Sequence, residues 1–336
     1  MAVRQRLSEA QIAELYDPPT EQRELVRHFT LSEADLAANR RCRGDHNRLG
    51  QALMLCYLRY PGRPLRAGER PPAALLAFVA EQIEVCPDTI DEYLTAERNR
   101  RCHSAELQDR LRLRPFGPRS AAELTAWLLP RAIEDDRFAH LARLVMEECR
   151  QRRIILPTPV MLERLCSDAR HQARREVHRR LTDGLSAEQR RRLDALTHRR
   201  DNDGQSHLTW LRQMPEAAKP AAMLGLIERL EHVRAIGIEP ARGHAVHQAR
   251  MAQLVREAGR VTVQHLAGYE RQRRQGTLLA VSLDLATHLT DQAIDLFERL
   301  VGGMFRRAKD GRHAPFKVMP APSTRRSASM HALAPS

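Results

Sequence analysis

Residues 47–62, NRLGQALMLCYLRYPG, decide the fold. Leu49, Leu53, Cys56 and Tyr57 recur at spacings of three and four, and further apolar side chains lie beside them. A helix of this composition is apolar around nearly its whole circumference, which is typical of a helix buried on all sides. The stretch therefore predicts a buried central helix that ends before Pro61-Gly62, because proline cannot continue a helix.

The sequence on either side of this stretch also favours helices. Leu and Ala dominate the apolar residues, and Ser8, Ser32 and Ser120 stand where helix N-caps are expected. The fold class predicted is all-α, with helix-turn-helix-like units. Since one hydrophobic core stops growing at roughly 250 residues, 336 residues predict two or more helical domains.

The domain boundary is predicted near residue 153. A short apolar run, residues 154–156, lies there between arginines and Pro157-Thr158-Pro159, as in a connector. We expect an amino-terminal DNA-binding domain over residues 1–153 and a second DNA-binding or linking region over 154–309. Residues 310–336 are rich in Pro, Ser and Arg and are predicted to be a disordered tail.

The charge balance indicates a polyanionic partner. Lysine and arginine number 55 against 42 acidic residues, a formal net charge of +13. A GC-rich genome would explain why nearly all the basic residues are arginine, but it does not explain the excess of positive charge. Such an excess attracts nucleic acid and speeds its capture.

The best candidate for reading DNA is the unit from Ser32 to Tyr60, a short helix, a turn at Gly44 and a longer helix. Arginine suits phosphate or guanine, and asparagine can pair with adenine. The candidate contacts are Arg40, Arg41, Arg43, His46, Asn47 and Arg48. The alternative is an ordinary corner between two helices with a solvated basic loop.

A second basic unit runs from Thr158 to Arg192 and could follow the phosphate backbone. Its candidate contacts are Arg170, Arg174, Arg175 and Arg179. The alternative here is the solvated outer face of a helix whose other side packs inward.

The sequence predicts no catalytic residue, metal site or cofactor. Its histidines form no HExxH pattern, its six cysteines stand singly, and no phosphate-binding glycine motif occurs. The acidic residues lack the neighbouring strands that would hold a two-metal site rigidly. The sequence contains no apolar run of about 18 residues, which a membrane-spanning helix would need. We therefore expect a cytoplasmic, nucleoid-associated protein.

The block RGDHNRLGQALMLCYLRYPGR, residues 43–63, resembles the opening domain of Tn3-family transposases. The resemblance begins with LVRHFTLSEADL, residues 25–36, and continues to DLFERLVGGMFRRAK, residues 295–309. It implies amino-terminal helical domains that bind double-stranded DNA at the terminal inverted repeats of a transposon. In that family, strands are cut by a DDE-type domain nearer the carboxyl end.

From the resemblance we expect a truncated, non-catalytic portion of such a transposase, with residues 310–336 translated out of frame after a frameshift. Of the two sets of arginines, the resemblance supports the first better. The alternative function is a helical protein-interaction module that inhibits full-length transposase or pairs with it.

Overall fold

The computed structural model describes residues 7–200, 204–214 and 219–313, with side chains to residue 309. Every regular element in these ranges is a helix, which confirms the predicted all-α class. The only strand-like pairings in the described part are two isolated bridges, Arg114 with Ile154 and Arg199 with Ser206. None of the helices described is both long and apolar enough to span a membrane.

The contacts divide the chain into two compact units. The first unit extends to Asp183 and also includes Gly243–Leu254. Its helices are α1 (Glu9–Tyr16), α2 (Gln22–Phe29), α3 (Glu33–Asn39), α4 (Asp45–Arg59), α5 (Ala73–Ile83), α6 (Ile90–Thr95), α7 (Glu97–Arg110), α8 (Pro118–Glu134), α9 (Phe138–Gln151) and α10 (Pro159–Thr182), with a 3₁₀ turn at Pro87–Thr89.

The second unit comprises Gly184–Arg242 and the chain from Val255 onward. Its helices are α11 (Ala187–Ala195), α12 (His207–Leu211), α13 (Pro220–Ala235), α15 (Val263–Ala267) and α16 (Arg271–His313). Helix α14 (Gln248–Gly259) and the 3₁₀ segment Pro240–Ala245 belong partly to each unit. Within the second unit, α16 packs against α13 and α11, and Asp194 of α11 accepts hydrogen bonds from Arg274 and Gln275 at 2.8 and 2.9 Å.

Helix α4 is the centre of the first unit. Its residues from Leu49 to Leu58 are all buried, and α2, α3, α5, α6 and α7 surround it. The predicted central helix is thus confirmed, and it ends at Arg59, just before Pro61. Because the surrounding helices fix the position of α4, they also fix the turn at Gly44 from which α4 begins.

Gly50 allows α4 to approach Tyr93 of α6. A Cβ atom at position 50 would lie 2.2 Å from Tyr93 Cγ, far inside contact distance. Tyr93 is fully buried, its hydroxyl lies 3.2 Å from His103 Nδ1, and its ring stacks on that imidazole. The NRLG portion of the block therefore serves the packing of three helices.

The predicted connector, residues 154–156, is bound into the first unit. Ile155 N donates to Arg114 O at 2.9 Å, and Leu156 N donates to Gly62 O at 3.0 Å. Helix α10 then packs along α8 and α9. The first unit accordingly continues to Asp183, whereas a functional boundary near residue 153 stays a prediction.

The predicted disordered tail, residues 310–336, lies outside the described residues from 314 onward. Its first residues, 310–313, belong to the end of α16.

Candidate nucleic-acid interface

The turn between α3 and α4 presents three exposed arginines. Helix α3 ends at Asn39, and Gly44, with a φ of 82°, reverses the chain so that α4 can begin at Asp45. Arg40, Arg41 and Arg43 are exposed in this turn. None of the three makes a side-chain hydrogen bond or ion pair within the described residues, so their guanidinium groups are available to a ligand.

Asn47 connects the turn to helix α7. Its Nδ2 donates to Arg43 O at 2.9 Å, and its Oδ1 accepts from Asn99 Nδ2 of α7 at 2.9 Å. One N–H and one oxygen lone pair of the amide remain beside these bonds, so pairing of Asn47 with adenine stays a prediction. The structure gives Asn47 the role of connecting the turn to α7.

Arg48 and His46 also contact other helices. Arg48 Nη2 donates to Ile83 O at 2.7 Å, at the end of α5, and its Nη1 lies 3.3 Å from Asp45 Oδ1. His46 Nδ1 lies 3.3 Å from Glu92 Oε2 of α6. The predicted first set is brought together by the fold, but it separates into three exposed arginines and three residues that fix their position.

Helix α7 adds a residue that the sequence analysis missed. Arg98 is exposed and forms no ion pair among the described side chains, and it directly precedes Asn99, the partner of Asn47. Arg100 is instead buried with Nη1 donating to Leu94 O at 3.0 Å, and Arg101 pairs with Glu97. The run RNRR at 98–101 was a visible basic signal, but only the hydrogen bond to Asn47 places it beside the turn. We name Arg40, Arg41, Arg43 and Arg98 the turn surface.

The second predicted set is arranged differently. Arg174 Nε donates to Asp136 Oδ2 at 2.9 Å, and Arg170 Nη2 lies 3.7 Å from the same oxygen. Asp136 is almost fully buried and also faces Arg250 Nη1 at 2.8 Å and Gln253 Nε2 at 2.7 Å. Two of the predicted DNA contacts therefore neutralise a buried carboxylate.

Several groups act on the pKa of Asp136. Burial alone would raise it, but hydrogen bonds from Arg250 and Gln253, the charge of Arg250 and the hydrogen bond from Arg174 lower it well below its ordinary value. Asp136 is thus ionised at neutral pH and holds the segment around Arg250 against the rest of the first unit.

Arg179 is paired as well, whereas Arg175 is not. Arg179 donates to both carboxylate oxygens of Glu176 at 2.7 and 2.8 Å and lies 3.8 Å from Asp183. These bonds and that from Arg180 lower the pKa of Glu176 to about 2. Arg175 is exposed, and the described side chains offer it no hydrogen bond or ion pair. Arg175 is thus the one member of this set that, within the described residues, is both exposed and unpaired, like the arginines of the turn surface.

Arginines at the carboxyl end of the block formed by residues 43–63 stabilise the fold. Arg63 is buried, its guanidinium contacts both oxygens of Glu69 at 2.6 and 2.7 Å, and its Nε donates to Tyr16 O at 2.9 Å. Asp35 similarly accepts from Arg59 and Arg110 at 2.9 and 3.1 Å. These arginines form ion pairs that connect helices of the first unit, and only Arg63 of the three is buried.

In the part of the chain that the structure describes, no three His, Cys, Asp or Glu side chains cluster closely enough to hold a metal ion. The cysteines form no disulfide.

The curated proteins to which this chain is similar include several transposases. Residues 7–169 match a family model described as a domain of unknown function, DUF4158. The chain is 37% identical over 318 residues to the transposase for transposon Tn3926 of Escherichia coli, covering 95% of this chain and 32% of that protein. It is 36% identical to the transposase for transposon Tn501 of Pseudomonas aeruginosa, covering 89% of this chain and 30% of that one. The chain thus spans about a third of the length of these relatives.

Proposed function

The chain belongs to the Tn3 family of transposases, and on that premise we propose that it binds double-stranded DNA at the terminal inverted repeats of a transposon. Transposition requires recognition of these ends before strands are cut. The net charge of +13 favours such a partner, because DNA carries one negative charge per roughly 1.7 Å of helix axis.

The observation that carries the proposal is the turn surface. A paired arginine must give up an ion pair before it can contact phosphate, whereas an unpaired one gives up only hydration. Arg40, Arg41 and Arg43 are unpaired, and Asn47 and Arg48 hold their backbone in position. A positioned set of this kind is suited to phosphate contacts and, through the bidentate guanidinium fork, to guanine.

The test is binding measured by fluorescence anisotropy over a range of salt concentrations. In the triple variant Arg40→Ala/Arg41→Ala/Arg43→Ala, the slope of log affinity against log salt should fall by about 0.9 for each phosphate that is no longer neutralised, so by up to about 3. The matched control is Arg119→Ala, which removes an exposed arginine paired with Glu123 on α8 and should leave the slope unchanged. Equal affinity and slope in the triple variant and the wild type would refute the role of this surface.

Specificity is tested with two duplexes, one carrying the terminal repeat and one with the same bases scrambled. We expect tighter binding of the repeat, and equal binding would reduce the proposal to non-specific DNA binding. Arg98→Ala and Arg175→Ala, made separately, ask whether α7 and the second arginine set contribute to the same interface.

We assign DNA binding, and not strand cleavage, to this chain. The buried carboxylate of Asp35 pairs with Arg59, and that of Asp136 pairs with Arg250. Cleavage of transposon ends by the purified chain with magnesium or manganese would contradict this assignment. A cytoplasmic location at the nucleoid follows from the proposed partner.

A second candidate function, interaction with a protein, is favoured by one observation. Large apolar side chains are exposed on α16, where a DNA-binding surface would carry charge. Co-purification with intact transposase in the absence of DNA would support pairing with that protein.

A further inference from the structure

A cavity of about 240 Å³ lies within the second unit, and all the residues that line it belong to that unit. The end of α12, the end of α14 and one face of α16 form its walls. Much of the wall is apolar and consists of Leu211, Val255, Val281, Leu285 and Leu289. Such a wall favours a ligand with an apolar body.

The volume of the cavity limits the size of that ligand. An apolar cavity of about 150 Å³ is large enough to hold benzene. Sites for drug-sized ligands usually measure roughly 300–1,000 Å³. At about 240 Å³, this cavity suits a molecule built on one aromatic ring rather than a nucleotide.

Arg212 is a charged group in the wall that lacks a counter-ion. It follows α12, is half-buried, and its side chain makes no hydrogen bond or ion pair within the described residues. Burial lowers the pKa of Arg212, and the charge of Asp284 offsets this effect only in part. A ligand carboxylate would compensate the buried charge through paired, charge-assisted hydrogen bonds to the guanidinium group.

Gln292 of α16 supplies a hydrogen-bond acceptor to the same cavity. Its Nε2 donates to Met214 Sδ at 2.8 Å, whereas its Oε1 is buried and accepts no hydrogen bond from the described part of the chain. A buried carbonyl oxygen without a donor has lost its hydration without compensation, and a ligand hydroxyl group would restore a hydrogen bond. Asp284 and His288, the other titratable side chains in the wall, are both exposed.

We propose that this cavity binds a small aromatic carboxylate that also carries a hydrogen-bond donor. The carboxylate pairs with Arg212, the donor reaches Gln292, and the ring lies among the leucine and valine side chains. The site is separate from the turn surface, and the proposal does not depend on DNA binding.

Isothermal titration calorimetry of the full chain with 4-hydroxybenzoate is the first test. For about ten non-hydrogen atoms that use both polar groups, we expect a Kd of about 0.1–1 mM. Phenol lacks the carboxylate and benzoate lacks the hydroxyl, so both should bind more weakly, phenol by at least about tenfold. Inorganic phosphate, which has charge but no apolar body, should not displace 4-hydroxybenzoate at equal concentration. The proposal fails if 4-hydroxybenzoate shows no saturable binding or if phosphate displaces it.

Arg212→Met tests the carboxylate contact. It should weaken binding of 4-hydroxybenzoate at least about tenfold and leave binding of phenol unchanged, because only the carboxylate needs the guanidinium group. The matched control is Arg256→Met, which removes an exposed arginine of α14 outside the cavity wall and should change neither affinity. Equal losses in the two variants would identify non-specific attraction of anions and refute the assignment of Arg212.

Val255→Phe/Gly259→Leu tests the location of the ligand. The two positions lie one turn apart on α14 and both line the cavity, and a Cβ atom added at Gly259 meets no atom within 4 Å. The larger side chains should fill the cavity and abolish binding of both 4-hydroxybenzoate and phenol, while the far-ultraviolet circular dichroism matches that of the wild type. Undiminished binding in this folded variant would show that the ligand binds elsewhere and would overturn the proposal.

Discussion

Gly50→Ala tests whether the NRLG sequence serves packing. The added methyl carbon would lie 2.2 Å from Tyr93 Cγ and 2.3 Å from each Cδ, so the ring must move. Tyr93 has no free space, because it is fully buried and its hydroxyl lies 3.2 Å from His103 Nδ1. The substitution should therefore destabilise the first unit although alanine is the better helix former.

The magnitude follows from opposing effects. Replacing glycine with alanine inside a helix stabilises it by about 1 kcal/mol. Overpacking a filled core costs roughly 1–3 kcal/mol, and disturbing the Tyr93–His103 hydrogen bond costs about 1 kcal/mol more. We expect a net destabilisation of about 2 kcal/mol, which at an m value of about 2 kcal/mol/M lowers the urea midpoint by about 1 M.

The assay follows Trp127 fluorescence during urea unfolding in a Trp210→Phe background, since Trp127 belongs to the first unit and Trp210 to the second. Gly225→Ala is the control, observed through Trp210 in a Trp127→Phe background. It lies inside α13, and its added Cβ would meet only an ordinary contact at 3.8 Å. This control should be neutral or stabilising by up to about 1 kcal/mol.

A Gly50→Ala variant that unfolds at the same urea concentration as its parent, or at a higher one, would refute the packing role of this glycine. The same role requires coupling with Tyr93→Ala. Once the ring is removed, the methyl group has space, so the double variant should lose less stability than the sum of the single variants. Strict additivity would show that the two positions do not meet.

Three further predictions concern residues that the structure pairs. Arg48→Met should lower stability by about 1–2 kcal/mol, because Ile83 O is left without its donor, and DNA affinity measured well below the unfolding transition should fall less than in the triple variant of Arg40, Arg41 and Arg43, whose guanidinium groups it retains. Asp136→Asn should cost about 3–5 kcal/mol, since Arg250 is left as a buried charge without a counter-ion, and an unchanged urea midpoint would contradict this pairing. The pKa of the Asp136 carboxyl group is lowered in the folded state, so the ionised carboxylate stabilises the fold above about pH 4. This stabilisation disappears as the pH falls toward the lowered pKa. Urea midpoints measured from pH 6 to pH 3 should therefore fall less steeply in Asp136→Asn than in the wild type.

The helices themselves were predictable from the sequence. Their signals are local: apolar residues three and four apart along 47–62, and serine caps such as Ser8 and Ser32, both of which the structure shows as complete capping boxes. Formation of a helix depends on residues within about one turn of each other, so helices can be predicted from the order of residues in the sequence. The excess of arginine was equally visible, since net charge is a sum over composition.

The tertiary structure alone decided which arginines are paired within the chain. Arg48 is bonded to a carbonyl 35 residues away, Asn99 to an amide 52 residues away, and Asp136 faces Arg250 from a distant part of the chain. A guanidinium group pairs with any carboxylate or carbonyl that the packing brings within about 3 Å. The spacing of residues along the sequence does not predict which groups come that close. Arginines that look alike in sequence therefore divide into those that hold helices together and those that remain exposed.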